Sequence, residues 1–399
     1  MKSRSSTFAG LGRRAFTLVE MMVSIALLLL LMVVTVTILN SVASINNRAR
    51  AKVDTFREAR AGFDVMTRRV SQSMLNTYWD YFDAAGRTAA TCAAIPTPFV
   101  AFSYGRQSEL HFVTGPTKLG AKPLLPDPGM LSVTHSIFFQ SPQGLSTDPT
   151  PAIPVSANLP SLLNVSGYFI EYTTDKLDRP VFLQAAATAP PERWRFRLIE
   201  LDQGCEYFQV YRSTGASTPA TALDWFRAPL NRTAAPSQPA CTRVLAENVI
   251  ALLVLPHRSP NDPAPTALTE LSPNYYYDSR EWAQTGKALS ALPLLTKNQL
   301  PPMVQVTMVV LDEVSAQRLQ TLMLATPQTM SVATDLLGLT TGATGLFTKA
   351  SAVSNPTPAQ EKAQYKADLA TLEAKLIALK LTYRIFNTEV SILQAKWSE

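Results

Sequence analysis

One long helical pattern opens the chain. Residues 21–39 read MMVSIALLLLLMVVTVTIL, a run of 19 residues without a charge. At ~1.5 Å per residue a helix of this length spans about 28 Å, close to the ~30 Å hydrocarbon core of a bilayer. A secretory signal peptide is the competing interpretation, but its apolar core is shorter, at about 7–15 residues. The pattern therefore predicts a retained membrane helix.

The helical pattern continues past the apolar run. From Asn40 to about Tyr78 there is no proline, and apolar residues recur at amphipathic-helix spacing. The seven-residue series consists of Val42, Ala49, Phe56, Phe63 and Val70. A helix from Thr17 to about Thr77 would be roughly 90 Å long, so we expect only its second half to pack on a globular head. A coiled-coil dimer through the same heptads is the alternative.

The rest of the chain alternates strand patterns with proline-rich loops. Trp194, Phe196 and Leu198 alternate with arginines, which is typical of a half-buried strand, and residues 202–204 are predicted to turn the chain into a hairpin with 205–212. Further strands are predicted at 99–104, 109–113, 136–140, 168–173, 249–255, 304–310 and 383–393. The fold class is therefore α+β.

A second helix is predicted at residues 357–379, where Tyr365, Leu369, Leu372 and Leu376 share one stripe. This stripe could pack on the head or project toward a partner subunit. The loops predicted at 141–165, 213–240, 256–273 and 326–356 are unusually long for a compact domain, and such loops are functional, partner-bound or mobile.

Charge is concentrated at the N-terminus. The chain has 36 basic and 30 acidic residues, and four of the basic ones lie in the first 15 residues, which contain no acid. The remaining body is nearly balanced, so no nucleic-acid partner is expected. With 46% hydrophobic and 17% charged residues, the composition also excludes a disordered protein.

Signatures of catalysis are missing from the sequence. It contains no CxxC, HExxH, GxSxG, P-loop or GxGxxG motif, so we predict no catalytic residue, no metal and no cofactor. Cys205 and Cys241 are a candidate disulfide, and unpaired thiols, including Cys92, are the alternative. His111 and His135 lie among apolar strand residues and are expected to be satisfied core or surface side chains, not catalytic bases. Residues 275–277, three tyrosines, and Trp282 could stack on sugars or bases, or simply pack a loop.

One acid lies just inside the apolar run. Glu20 is either a functional carboxylate with a partner to be named or a side chain that stays wet at the headgroup level. The segment 13–20, Arg-Arg-Ala-Phe-Thr-Leu-Val-Glu, closely resembles the class III signal of type IV pilins and type II secretion pseudopilins. The resemblance implies cleavage by prepilin peptidase between Ala15 and Phe16, methylation of the Phe16 amine, and a Glu20 that neutralises the amine of a neighbouring subunit. Ala15 stands where that family usually has glycine.

This resemblance implies a pilin-like fold, with a long N-terminal helix packed on an antiparallel sheet head. The expected organisation is a leader at 1–15, a transmembrane helix at 16–40, an amphipathic spine at 41–80 and a β-rich head at 81–399. The basic leader favours a cytoplasmic N-terminus, although the far side of the span is basic as well. The implied location is therefore the inner membrane, with the head in the periplasm or on the cell surface.

Later segments extend the resemblance. Residues 245–249, Leu-Ala-Glu-Asn-Val, and 300–306, Leu-Pro-Pro-Met-Val-Gln-Val, are similar to segments of large minor pilins of the W type and minor pseudopilins of the J type. Residues 67–81 resemble the Verru_Chthon cassette protein C family. The implied function is a minor pilin or pseudopilin whose partners are prepilin peptidase, other pilin or pseudopilin subunits and inner-membrane lipid. An anchored binding protein, either an adhesin or a DNA-uptake minor pilin, is the alternative, and a membrane-tethered enzyme is a third possibility.

Overall fold

The structure is a computed structural model that describes most of the chain. The chain consists of two compact units, Met1–Asp54 and Thr55–Glu399. The described residues are 17–85, 87–89, 98–117, 123–125, 131–146, 161–176, 179–184, 190–213, 222–230, 241–258, 271–272, 275–280, 298–323, 336–339, 345–348 and 358–395. Cys92, Trp282 and the predicted cleavage residues Ala15 and Phe16 lie outside them.

Helix α1 runs from Leu18 to Ser71 without a break. Its stretch in the first unit is apolar on every side through residue 39, and the side chains there are exposed. A helix that is hydrophobic all round needs an apolar surrounding, either a large protein core or a membrane. Three hydroxyls interrupt this stretch, and each donates a hydrogen bond to a carbonyl oxygen one turn back: Ser24 to Glu20, Thr35 to Leu31 and Thr37 to Val33. No polar side chain of residues 21–39 is therefore left unsatisfied in a lipid environment.

The second unit contains the rest of α1, eleven strands and four further helices within the described residues. The strands are β1 (Tyr78–Phe82), β2 (Ser103–Gln107), β3 (Val113–Pro116), β4 (Ser132–Pro142), β5 (Leu163–Thr174), β6 (Trp194–Gln203), β7 (Thr242–Glu247), β8 (Val249–His257), β9 (Tyr277–Asp278), β10 (Met303–Leu311) and β11 (Tyr383–Ser391). The helices are α2 (Val181–Gln184), α3 (Asp224–Leu230), α4 (Glu313–Met323) and α5 (Pro358–Ala378), and 3-10 turns form at Cys205–Tyr207 and Val210–Ser213.

The strands form three antiparallel sheets. The largest has the order β7-β6-β5-β4-β3-β9, the second has the order β11-β10-β8, and β1 pairs with β2 alone. Strands β4, β5 and β6 are buried on both faces, and their alternating side chains sort into two hydrophobic clusters. Tyr168 and Ile170 belong to the cluster shared with β8 and β10, whereas Phe169 points to the opposite face. There α3 covers the sheet, and the rings of Phe138 and Phe226 stack with centroids 4.0 Å apart.

Asn248 joins the two larger sheets. It separates β7 from β8 and has a φ of +62°, a left-handed conformation that asparagine tolerates better than most residues. The chain therefore leaves the six-stranded sheet at Asn248 and immediately enters the three-stranded one. The Leu-Ala-Glu-Asn-Val segment therefore forms the corner between the two sheets.

Helix α1 packs on the head through Ala59, Gly62, Phe63, Met66 and Val70. A Cβ atom at Gly62 would lie 3.3 Å from both the Cγ and the carbonyl oxygen of Leu245, so glycine permits the close approach of the helix to β7. The Phe63 ring contacts Phe386 of β11, with centroids 5.9 Å apart.

Helix α5 covers the other face of the three-stranded sheet. Its Tyr365 forms a 2.7 Å hydrogen bond with Thr307 of β10. Phe386, which contacts Phe63 of α1, lies opposite Met308, the next residue of β10. Neighbouring residues of a strand point to opposite faces, so α1 and α5 enclose this sheet between them. Tyr365, Leu372 and Leu376 are buried, which confirms the core-packing interpretation of this helix over a projecting one.

The predicted α+β class, the long N-terminal helix and most strand positions are confirmed. The predicted hairpin between 194–198 and 205–212 is wrong. Strand β6 continues to Gln203 and pairs with β5 and β7, and residues 205–213 form 3-10 turns. The half-buried interpretation of β6 is wrong as well, because Arg195 and Arg197 are buried with acidic partners. Helix α1 also ends about six residues earlier than predicted, and strand β1 follows it.

Candidate functional site: the N-terminal segment

A capping box begins α1. Thr17 lies just before the helix, and its hydroxyl oxygen accepts the Glu20 backbone N–H at 3.3 Å. In return, the Glu20 carboxylate accepts the Thr17 backbone N–H at 3.2 Å. Such a reciprocal pair satisfies two otherwise free donors, and a negative charge in the first turn is favoured by the helix dipole. Thr17 was not among the predicted site residues, although its Thr-x-x-Glu spacing is a sequence signature of a capping box.

Glu20 is therefore exposed at the first turn of an otherwise apolar helix. The described residues contain one helix that is long and apolar enough to cross a membrane, α1, with a mean hydropathy of 2.9 in its most apolar window. A carboxylate with no protein cover at this position can interact with headgroups, with water or with a cation from another chain.

His111 and His135, which were predicted to be satisfied core or surface side chains, are both fully buried and hydrogen-bonded. Trp225 donates its indole N–H to His111 Nδ1 at 2.9 Å, so the ring proton lies on Nε2, which is 2.6 Å from Asp278. Burial lowers the pKa of His111. This arrangement stabilises a neutral ring that is closed to solvent, not an accessible catalytic base.

His135 lies at the junction of the two larger sheets. The backbone N–H of Val254 in β8 donates to its Nδ1 at 3.1 Å, and Nε2 donates to the carbonyl oxygen of Phe347 at 2.8 Å. The neighbouring Thr134, with a φ of +58°, accepts the Leu252 N–H at 3.1 Å. Burial lowers the pKa of His135 to about 4. Thr134 and His135 of β4 thus accept the backbone N–H groups of Leu252 and Val254 at the edge of β8.

Cys205 and Cys241 are both free thiols in the structure, so the candidate disulfide is not formed there. Cys205 begins a 3-10 turn after β6, whereas Cys241 precedes β7 and its Sγ lies 3.8 Å from the Pro229 carbonyl oxygen. Burial raises the pKa of both thiols, which disfavours the reactive thiolate form.

The tyrosines at 275–277 and the possible metal ligands were the other candidate groups. Tyr275 and Tyr277 are buried, and the Tyr277 hydroxyl donates to the Gln299 carbonyl oxygen at 2.9 Å, so these tyrosines pack a loop. Among the described residues, no group of three or more histidine, cysteine, aspartate or glutamate side chains could hold a metal ion.

A buried charge cluster was not anticipated from the sequence. Glu200 of β6 is fully buried and is paired with Arg69 in the last turn of α1 and with Arg243 of β7. The Tyr168 hydroxyl donates to the same carboxylate at 2.7 Å. Asp202 lies 3.4 Å from both arginines, and burial raises its pKa. This cluster connects α1 to the six-stranded sheet.

Comparison with known proteins gives one match. The family described as "Prokaryotic N-terminal methylation motif" matches residues 11–36, which include the predicted cleavage position, Thr17, Glu20 and the first part of the apolar run. No curated protein sequence matches the chain, and no solved structure matches it. The chain therefore carries a prepilin-type N-terminal signal that leads into α1, the one helix in the described part of the chain that is long and apolar enough to cross a membrane. This signal supports a type IV pilin or pseudopilin-like subunit.

Proposed function

We propose that the protein is a minor pilin or pseudopilin, a structural subunit of a type IV pilus or type II secretion-like filament. The observation that carries this proposal is the methylation motif at 11–36, which leads directly into the continuous helix α1. The motif implies processing by prepilin peptidase and assembly with other pilins. A subunit of this kind acts through assembly and needs no catalytic residue.

Processing determines the chemistry of the site. Cleavage between Ala15 and Phe16 would give Phe16 a free amine, which is then methylated, four residues before Glu20. Transferring an ammonium and a carboxylate into lipid as a pair costs far less free energy than transferring either ion alone. We therefore assign Glu20 as the assembly carboxylate that receives the amine of a neighbouring subunit.

The proposed location is the inner membrane. Before processing, the basic leader would lie in the cytoplasm, and the head would lie in the periplasm or on the cell surface. Residues 16–40 would contact inner-membrane lipid, and the exposed apolar side chains of Val42, Ile45 and Val53 would be covered by neighbouring subunits. No nucleic-acid partner is required.

The head supports a finer assignment to the large minor pilins of the W or J type. In this chain the Leu-Ala-Glu-Asn-Val segment forms the Asn248 corner, and residues 303–306 begin the central strand β10 of the second sheet. The resemblance of residues 67–81 to the Verru_Chthon cassette protein C family covers the last turn of α1 and most of β1.

The capping box makes it possible to separate two roles of Glu20. Glutamine also closes a capping box, so Glu20→Gln keeps the helix start and removes only the charge. We expect this variant to be cleaved and inserted normally and to lose crosslinking to other prepilin-like subunits in membranes. Ser24→Ala, one turn further along the same helix, is the matched control and should crosslink like the wild type.

Wild-type crosslinking by Glu20→Gln would show that the carboxylate charge is not needed for assembly. The alternative, a membrane-anchored extracytoplasmic binding protein such as an adhesin or a DNA-uptake minor pilin, would then be the better account. One observation favours this alternative specifically, an exposed aromatic surface on the head.

A further inference from the structure

The two-stranded sheet β1–β2 presents a row of aromatic rings to solvent. Trp79 and Tyr81 of β1 lie opposite Arg106 and Tyr104 of β2, so all four side chains share one face. The Tyr104 ring lies between the others, 5.2 Å from Trp79 in a near-parallel stack and 5.0 Å from Tyr81. The Arg106 guanidinium lies 5.9 Å from the centre of the Trp79 ring. We call these four residues the aromatic face.

The rings of this face are open to solvent. Trp79 and Tyr81 are each 56% exposed and Tyr104 is 58% exposed. In the described part of residues 55–399, seven aromatic side chains are exposed, and five of them lie on this sheet or just before β2. Cross-strand ring pairs help to hold a short hairpin together. That role does not explain why Phe102, just before the strand, is 78% exposed.

The opposite face of the sheet anchors it to the head. Phe82 is buried and lies against Gly105, the Tyr78 hydroxyl donates to Glu109, and the Asn298 side chain donates to the Arg106 carbonyl oxygen at 2.7 Å. A surface on an anchored element is presented in a fixed geometry, and such pre-organisation lowers the entropic cost of binding.

Size and charge narrow the class of ligand. Five residues per strand make a face about 17 Å long, on the order of 200 Å², whereas a specific protein partner usually covers about 800 Å² on each side. The two strands contain one acid, Asp80, and one base, Arg106, so they have no net charge. Binding of single-stranded nucleic acid combines aromatic stacking with a positively charged groove, and these strands provide only the stacking part.

We propose that the aromatic face binds a neutral β-1,4-linked polysaccharide. The pyranose rings of such chains present flat surfaces of C–H groups that pack on aromatic rings, and their equatorial hydroxyls can bond to the tyrosine hydroxyls and to Arg106. The centroids of Trp79, Tyr104 and Tyr81 follow one another at 5.2 and 5.0 Å, so this row of rings can contact successive sugars of an extended chain.

The test uses the full chain in phospholipid nanodiscs, which contain no sugar detergent. Titration calorimetry with cellohexaose and chitohexaose should give saturable binding to the wild type. Trp79→Ala and Tyr104→Ala should each weaken this binding by about tenfold or more. Phe182→Ala, which removes an exposed ring elsewhere on the head, should leave it unchanged. Trp79→Phe keeps a stacking ring and should retain most of the affinity, which guards against misfolding of the alanine variant.

Three results would overturn the proposal. The first is the absence of saturable binding of either sugar up to about 1 mM, which is the upper end of specific recognition. The second is sugar binding that survives both alanine substitutions, because the site would then lie elsewhere. The third is preferential, salt-sensitive binding of a single-stranded oligothymidylate, which would assign the face to nucleic acid instead.

Discussion

The Nε2 atom of His135 lies 2.8 Å from the carbonyl oxygen of Phe347, and both residues are buried. The other ring nitrogen accepts the backbone N–H of Val254. One neutral imidazole therefore connects β4, β8 and the segment 345–348. Protonation would remove the acceptor of the Val254 N–H and place a charge on a fully buried ring, and the Val254 carbonyl oxygen, 3.3 Å from the same nitrogen, offsets only part of this cost.

We predict that the head loses stability in mild acid through His135. The folded-state pKa is about 4, below the ordinary value of 6.5, so the unfolded chain takes up the proton first as the pH falls. The contribution of His135 is fully present above pH 6.5 and is lost as the pH falls toward 4, with a total of about 3 kcal/mol in the free energy of unfolding. Urea unfolding followed by tryptophan fluorescence at several pH values measures this slope.

The contribution of His135 can be isolated by substitution. His135→Gln should be less stable at pH 7.5, and its unfolding free energy should fall less steeply between pH 6.5 and 4 than that of the wild type. Equal slopes for His135→Gln and the wild type would show that this ring is not the acid-sensitive contact.

A second prediction concerns the close contact between Gly62 of α1 and Leu245 of β7. Gly62→Val should destabilise the head by about 1–3 kcal/mol, because the new side chain would enter the space between α1 and Leu245. Ala61→Val places the same residue on the exposed side of the helix and should change stability by less than about 0.5 kcal/mol. Thermal unfolding of the two variants provides the comparison, and similar melting temperatures would contradict the packing shown by α1.

A third prediction concerns the ion pair between Arg69 and Glu200. Arg69→Met should cost about 3 kcal/mol, because Glu200 is fully buried and would retain only Arg243 as a cationic partner. The double variant Arg69→Met with Glu200→Gln should recover part of this loss, since the uncompensated charge is removed. Arg68→Met, at the exposed neighbouring position, is the control. Strictly additive losses in the double variant would mean that the two residues do not interact.

A fourth prediction concerns the second unit. A truncated protein that begins at Ser41 lacks the apolar run and keeps the whole hydrophobic core of the head. It should be soluble without detergent and show mixed helix and strand signals in circular dichroism, with cooperative thermal unfolding. Aggregation under all mild conditions would show that the head needs its membrane helix or a partner.

The elements that the sequence predicts well are those with a strong local pattern. The uncharged run was predicted from its length alone, whereas the stripe through Phe63 and Val70 and the alternation of Val304 to Val310 each follow one periodicity. The structure has helix or strand at all these positions. Glu20 was identified because a lone acid in an apolar helix is conspicuous.

The elements that were missed depend on long-range contacts. The alternation of arginines in β6 suggested a solvated face, but Arg195 and Arg197 find Glu313 and Glu247, which are distant in sequence. The sheet corner depends on a left-handed Asn248, which no hydrophobic period reveals. The aromatic face was missed because the helical pattern was extended to about residue 77, and the segment Tyr78–Phe82, four aromatic residues around Asp80, lacks the alternation of apolar and polar positions that indicates a strand.

We expect the N-terminal signal to be processed and methylated as in type IV pilin-like proteins. Mass spectrometry of the N-terminal peptide from the membrane-extracted protein tests it most directly, with a strain that lacks prepilin peptidase as the control. The expected mature chain begins at Phe16, with one added methyl group on its amine, and the control strain should retain an uncleaved leader. An intact Met1 in the presence of the peptidase, or a cut beyond Leu39, would contradict it.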